Sequence, residues 1–385
     1  MKNILFIHQS AELYGSDKTL LLLLKHLDKT NFNSVVILPN DGPLKTELEK
    51  ENIKVIIAPV LKLYRKMFSP KNILKFFTDI NHAFKVLNEL HKEHKFDLIY
   101  SNTLAVLLGI FYAKKNKIKH LWHVHEIIES PRIFTKMFCK LLSFKCNFKI
   151  VYNSQATKNF WDKNKSISSK SLVICNGLEI PNEEISNDEK VLIRKQIFNS
   201  DASEIIIALV GRVSRWKGQK ILLNAFYQIS KNNSNTKLAF VGSPPPNQEL
   251  FLKELQELII ELKILDKVVL IPFTNEVSKI WQCIDIAVVP STEPEPFGLV
   301  AVEAMLAKKP VIGSNHGGLT EIIVNNETGF LVEPNNETKL AEAISKLIEN
   351  PELRKQFGES GYQRAINEFS VGTYVNKFEK LLIEI

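Results

Sequence analysis

Cysteine is scarce in this 385-residue chain: Cys139, Cys146, Cys175 and Cys283, with no Cys-x-x-Cys pair among them. That excludes a disulfide-stapled scaffold, argues against a zinc site and fits a reducing compartment. Long apolar runs are lacking too. The longest, Leu104–Ala113, is about half of the ~20 residues a membrane-spanning helix needs. The opening Met-Lys-Asn-Ile-Leu-Phe-Ile-His is too short an apolar stretch for a secretion signal and runs into polar Gln9, Ser10 and Glu12. With only 15 Gly and 16 Pro, collagen-like and Pro/Gly-rich disordered classes do not apply. No Gly-x-Gly-x-x-Gly fingerprint follows the first strand-like run, which argues against a nicotinamide site. No Asp-x-Asp pair follows any such run, so a metal-bridged diphosphate is not indicated. The expectation is a cytoplasmic protein with no cofactor and no metal, peripheral contact with the inner face of the cell membrane staying open.

What is present is ordinary globular composition, 45% apolar and 24% charged. The net charge of +8 is unevenly spread. Residues 1–180 hold 28 Lys/Arg against 15 Asp/Glu, a net of +13, and residues 181–385 carry a net of −5. Nucleic acid is not the expected partner, because the lysines are scattered over helical patterns without a recognisable binding module. Basic and aromatic residues do mix in two places: Lys62, Arg65, Lys66, Lys71 and Lys75 near Tyr64, Phe68, Phe76 and Phe77, and Lys136, Lys140, Lys145 and Lys149 among Phe134, Met137, Phe138 and Phe144. Such mixing suits an anionic membrane surface. A solvated helix face over core aromatics explains it equally.

Strand-like runs alternate with helical patterns in two series. The first is Ile4–His8, Ser34–Leu38, Val55–Ala58, Asp97–Ser101, His120–His125, Lys149–Asn153 and Leu172–Cys175. The second is Ile205–Val210, Leu238–Val241, Val268–Ile271, Ile286–Pro290, Val311–Gly313 and Gly329–Val332. The polar stretch 181–203 breaks the rhythm and reads as a linker. Lys339 to Ile385 reads as helices only. The fold class is α/β, two doubly wound Rossmann-like domains facing a central cleft, with ligands beyond the carboxyl ends of the strands.

Five strand-end segments carry candidate chemistry. Glu295-Pro296-Phe297-Gly298-Leu299-Val300-Ala301-Val302-Glu303 opens a helix near Gly298, where N–H groups of Gly298, Leu299 and Val300 and the dipole favour a phosphate. Glu303 has only apolar or small sequence neighbours, and a carboxylate there needs donors such as a ribose diol. If helical throughout, the eight-residue interval from Glu295 to Glu303 spans roughly 10–12 Å. The plainer reading is a buried helix with an acidic first turn. Gly211-Arg212-Val213-Ser214-Arg215-Trp216-Lys217-Gly218 follows the first strand of the second series; Arg212 and Lys217 there suit a diphosphate, or else a solvated basic loop. Tyr14-Gly15-Ser16-Asp17 follows the first strand of all, with Gly15 for close ligand approach or Asp17 as a helix cap. His123-Val124-His125-Glu126 puts His125 at a strand end, as a ligand contact or a structural histidine. His316-Gly317-Gly318 after a later strand reads equally as a tight turn or a ligand approach.

At these residues the chain resembles the retaining glycosyltransferases of family 4, also called glycosyl transferases group 1, which have the GT-B fold. The likeness rests on Glu295-Pro296-Phe297-Gly298 with Glu303, on Gly211-Arg212 with Lys217-Gly218, and on Asn176-Gly177. It continues through Gly317-Gly318 with Glu321, and Glu327-Thr328-Gly329-Phe330-Leu331-Val332. The first loop departs from the family by having Tyr14-Gly15 in place of two glycines, and Glu12 to Asp17 looks like enzymes of bacterial surface polysaccharide and lipopolysaccharide assembly. The resemblance implies a metal-independent hexosyltransferase using a UDP- or GDP-linked sugar and a glycan or lipid-linked acceptor. It implies an acceptor domain over 1–180, a linker at 181–203, a donor domain over 204–366, and a segment 367–385 crossing back to the first domain. Glu303 would hold the ribose, Glu295 the sugar hydroxyls, Arg212 and Lys217 the diphosphate. His125 would meet the donor sugar from across the cleft. Gly15, Phe297, Gly298, Leu299 and Val300 complete the expected donor contacts. A nucleotide-sugar epimerase of similar fold and a non-catalytic nucleotide-sugar sensor remain open alternatives.

Overall fold

The computed structural model describes residues 1–62, 70–181 and 184–385, and their side chains except for 70–77. The basic and aromatic cluster between Lys62 and Phe77 therefore lies, Lys62 apart, outside the described side chains, as do Asn182 and Glu183 of the expected linker. Two compact units emerge: Met1–Glu179 together with Ser370–Ile385, and Ile180–Phe369.

The first unit is built on seven strands: β1 Lys2–His8, β2 Phe32–Leu38, β3 Lys54–Ile57, β4 Leu98–Asn102, β5 Lys119–Val124, β6 Asn147–Tyr152 and β7 Ser171–Val173. They form one parallel sheet in the order β3-β2-β1-β4-β5-β6-β7. Ile4, Leu5, Phe6 and Ile7 are all fully buried, because helices cover both faces of a parallel sheet and its strands read as continuous apolar runs. The strand order reverses between β1 and β4. The second unit repeats the plan with β8 Ile205–Val210, β9 Thr236–Val241, β10 Val268–Ile271, β11 Ile286–Val289, β12 Val311–Ser314 and β13 Gly329–Val332. Its order is β10-β9-β8-β11-β12-β13, with the reversal between β8 and β11. In open α/β sheets such a reversal leaves a crevice at the strands' carboxyl ends.

Three segments differ from the sequence expectation in instructive ways. The helix Asn187–Gln196, inside the stretch read as a linker, is tied to the second unit. Arg194 Nη1 donates to Asp285 Oδ2 at 3.1 Å and to the Cys283 carbonyl at 2.9 Å, and Lys279 pairs with Glu189 at 3.0 Å. The helix Pro351–Phe369 belongs to the second unit, and the chain enters the first at Ser370, whose side chain caps the helix Val371–Ile383. That helix buries Tyr374, Val375, Phe378, Leu381 and Leu382 in the first unit. A Cβ on Gly177 would stand 2.5 Å from Tyr374 Cβ, so this glycine lets the helix approach. In the helix Arg132–Leu142, Phe138 lies in the core, Phe134 and Met137 pack against it, and Lys136 and Lys140 are exposed. The mixed pattern there is an ordinary amphipathic helix, its aromatics facing inward.

Candidate active site

At the β8/β11 reversal, three loops are stitched together. The loop 211–218 follows β8, the segment 290–298 follows β11, and 315–318 follows β12. Glu295 is 4% exposed. Its Oε1 accepts from Lys217 Nζ at 2.6 Å and from Ser291 Oγ at 2.5 Å. Its carbonyl accepts from Gly318 N at 2.7 Å. His316 Nε2 donates to the Ser291 carbonyl at 2.9 Å, and Thr292 N donates to the Trp216 carbonyl at 2.9 Å. Lys217 Nζ also lies 4.4 Å from the centre of the Trp216 ring. Gly317 has φ +60°, and a Cβ there would stand 2.4 Å from the Glu295 carbonyl oxygen. No other residue lets these loops touch so closely. Glu295 and Lys217, assigned separately from sequence to sugar and diphosphate, are thus one ion pair, the carboxylate buried and the ammonium half-buried. Arg212 is exposed, its carbonyl held by Gln219 Nε2 at 2.8 Å.

The helix itself runs Leu299–Leu306, with Gly298 as its N-cap at φ +114° and no side chain capping it. Leu299 and Val300 are half-buried. Its late start corrects the helical spacing: only Leu299 to Glu303 is helical, a rise of about 6 Å. Glu303 is not surrounded by apolar groups alone, since Trp281 Nε1 donates to its Oε2 at 3.4 Å. Phe297 is 3% exposed, its ring 5.8 Å from that of Phe369. It packs in the interior, so its part in the site is to fix the loop rather than to meet a ligand with its ring.

In the first unit, a polar chain runs across the ends of β1, β4 and β5. His125 Nε2 meets Asn102 Oδ1 at 2.9 Å, and Asn102 Nδ2 meets His8 Nδ1 at 3.0 Å and the Ser16 carbonyl at 3.1 Å. His8 Nε2 reaches Asp17 Oδ1 at 2.5 Å, and Ser10 Oγ donates to the same oxygen. Asp17 is not the helix cap: Tyr14 holds that place, its N–H donating to Asp17 Oδ2 at 2.9 Å, and Gly15 is the exposed first residue of the helix Gly15–His26. Burial opposes ionisation of Asp17, but the bonds from His8, Ser10 and Tyr14 hold its carboxyl below the usual range. Burial, against the opposing pull of Asp17, pushes His125 down to about 3, so its imidazole is neutral. Glu126 accepts from Leu104 N at 3.1 and 3.2 Å and from His125 N at 3.0 Å, and burial raises its carboxyl to about 7.

Sequence reading missed Ser291, Trp281, His8 and Asn102. His8 and Asn102 each end a buried apolar strand, which is a legible signal. Trp281 carries none, because its partner Glu303 lies on another helix, and Ser291, four residues before Glu295, carries none because a lone serine in a loop is unremarkable. Among the described residues, no group of three or more His, Cys, Asp or Glu is placed to hold a metal ion, and no helix is long and apolar enough to cross a membrane.

Two family profiles match the chain in succession: Glycosyltransferase Family 4 over residues 14–180 and Glycosyl transferases group 1 over residues 192–364. The chain belongs to glycosyltransferase family 4. This glycosyltransferase is 27% identical to a capsular polysaccharide biosynthesis glycosyltransferase, CapM of Staphylococcus aureus, over 90% of its own length and 88% of the relative's. It is 24% identical to the lipopolysaccharide 1,2-N-acetylglucosaminetransferase of Salmonella typhimurium, over 90% and 88%. The structure of Anabaena HepE in complex with UDP and glucose superposes with a TM-score of 0.86, at 26% identity and full coverage of both chains. The glycosyltransferase therefore has the GT-B fold. Its second-unit cluster offers an acidic acceptor, an ammonium and an uncapped helix start at one reversal point.

Proposed function

We propose that this glycosyltransferase moves a sugar from a UDP- or GDP-linked donor to a glycan or lipid-linked acceptor in bacterial surface-polysaccharide synthesis, with retention at the anomeric carbon and without a metal ion. The observation that carries the reading is the Lys217–Glu295 pair at 2.6 Å beside the helix start at Gly298. An ammonium has three donors and Glu295 takes one, so Lys217 can also serve a diphosphate while Glu295 keeps an oxygen for sugar hydroxyls. Arg212 and the N–H groups of Gly298, Leu299 and Val300 complete the anion site, and Glu303 takes the ribose. His125 takes a donor-sugar hydroxyl. The bond from the anomeric carbon to the diphosphate oxygen breaks, and a bond to the acceptor oxygen forms on the same face. The acceptor proton passes to the departing diphosphate. Charge grows on that diphosphate as the bond breaks, and fixed cations and dipoles stabilise it there. The donor is supported by the relative solved with UDP-glucose, HepE, and the pathway by the names of the capsular and lipopolysaccharide relatives.

The test is turnover of UDP- and GDP-sugars with an acceptor panel. Glu295→Ala and Lys217→Ala should each lower transfer by about 100-fold; a loss within about threefold would sink the assignment. Formation of an epimeric nucleotide sugar without acceptor would favour the epimerase, and tight donor binding without any turnover the sensor.

We also assign an anionic membrane surface as a partner of the first unit. The support is a groove in which Lys114, Lys117, Lys119 and Lys145 surround Ile118, Phe144 and Phe148. Lys114 and Lys119 lie 4.2 and 4.9 Å from the Phe144 and Phe148 ring centres.

A further inference from the structure

The polar chain ending at His125 admits one consistent placement of hydrogens. The Ser16 carbonyl can only accept, so the Asn102 atom 3.1 Å from it is the NH2 group. The second hydrogen of that group points at His8 Nδ1, 3.0 Å away, which must then be a bare nitrogen. His8 carries its proton on Nε2 and donates that N–H in a hydrogen bond to the Asp17 carboxylate at 2.5 Å. With its NH2 committed, Asn102 turns its carbonyl oxygen to His125 Nε2 at 2.9 Å. An amide oxygen only accepts, so His125 bears its hydrogen on Nε2. A neutral imidazole has a single N–H, and Nδ1 is left as a lone pair.

The backbone around this ring is clamped as well. The Glu126 carboxylate bridges His125 N and Leu104 N. It thereby ties the end of β5 to the residue two beyond Asn102. The His123 ring lies 3.9 Å from the His125 ring, centre to centre, and is itself bonded to Tyr100 at 2.7 Å.

We propose that Asp17, His8 and Asn102 are positioning residues that lock His125 as the neutral Nε2–H tautomer, so that it presents Nδ1 as a hydrogen-bond acceptor to a hydroxyl of the donor sugar and serves neither as an acid nor as a cation. This rests on the assignment of His125 to the donor sugar. The titratable groups around the ring agree with it. Asp17 and His8 face it from the first helix and β1, His123 and Glu126 from its own segment. Tyr100 on β4 and Tyr374 on the last helix stand behind His123, the latter with ring centres 6.5 Å apart. Asp17, the acid in line with it, is already occupied by His8, Ser10 and Tyr14.

The experiment reads the ring nitrogens directly, by long-range 1H–15N correlation on full-length, substrate-free protein labelled at histidine. His125 should show a protonated Nε2 and a bare Nδ1, unchanged from pH 5 to 9. Asn102→Asp places a carboxylate at the same spot, which favours the imidazolium. In that variant His125 should take up a second proton near neutral pH. The KM for the nucleotide sugar should then rise about tenfold, with recovery at high pH. A wild-type His125 protonated on Nδ1, or exchanging between tautomers, would overturn the lock, and this measurement stands even if the variant does not fold. An unaltered His125 in folded Asn102→Asp would overturn it too. The reading is separable from activity: Nδ1–H with transfer intact removes the lock and leaves the enzyme, whereas Nε2–H without transfer keeps the lock and removes the proposed reaction.

Discussion

At the scale of residues, His125 and Glu126 are neighbours whose burial acts in opposite directions on the pH dependence of stability. The His125 imidazole is pushed down to about 3, so between its unfolded value and that point the unfolded chain holds the extra proton and stability falls as pH falls. The Glu126 carboxyl is raised to about 7 from 4.5, so its contribution is full below 4.5 and is lost as pH rises through about 7. The two partly cancel between about pH 4.5 and 6.5. Glu126→Gln removes one side of that balance, and His120, also lowered by burial, to about 4, adds to the other. Urea unfolding of this variant should show stability rising more steeply with pH over that window than in the wild type. An unchanged slope would mean that Glu126 is already ionised throughout.

At the scale of elements, the last helix matters out of proportion to its length. Val371–Ile383 is the only described segment of the first unit that comes from beyond Glu179, and it packs on Gly15–His26. Tyr374, Val375, Phe378, Leu381 and Leu382 are each at most 5% exposed. At about 1.5–3 kcal/mol per buried side chain they contribute roughly 8–15 kcal/mol, comparable with the roughly 5–15 kcal/mol that holds a whole domain folded. A chain ending at Phe369 should therefore lose hydrogen-exchange protection in β1 and β4 while β8 and β11 keep theirs. Native protection in β1 of that truncated chain would contradict this account.

At the scale of the whole molecule, the charge excess of residues 1–180 has a definite location to explain. Lys119 opens β5 and Phe148 is the second residue of β6, so the lysine groove sits at the amino ends of the strands. Ligands of such sheets bind at the carboxyl ends, which separates the groove from His125 and its partners. Two nearby lysines are engaged: Lys149 pairs with Glu384 at 3.4 Å, and Lys119 donates to the Ile385 carbonyl at 2.7 Å. Binding to vesicles containing anionic lipid should be detectable at low salt and fall steeply as salt rises. Lys114→Glu with Lys117→Glu should abolish it. Equal binding to neutral vesicles, or none to either kind, would rule the surface out.

The sequence by itself determined the architecture: each strand-like run is a strand, because the central strands, buried on both faces, must be apolar throughout, and the half-exposed edge strands β3 and β7 still keep runs of Val, Ile and Leu. It also singled out the strand-end segments 211–218, 295–303 and 316–318, which the structure brings together, since a polar or glycine-rich segment at the carboxyl end of such a strand stands out from the apolar run before it. What only the tertiary structure decided is how those loops meet. The pairing of Lys217 with Glu295, the donor that Trp281 brings to Glu303, and the hydrogen-bond chain from Asp17 to His125 join residues as much as 94 positions apart along the chain. Local periodicity carries no trace of a partner on another strand. The same limit applies to Phe297 and to the helix Arg132–Leu142, where composition suggested ligand or lipid and packing turned the aromatic rings inward.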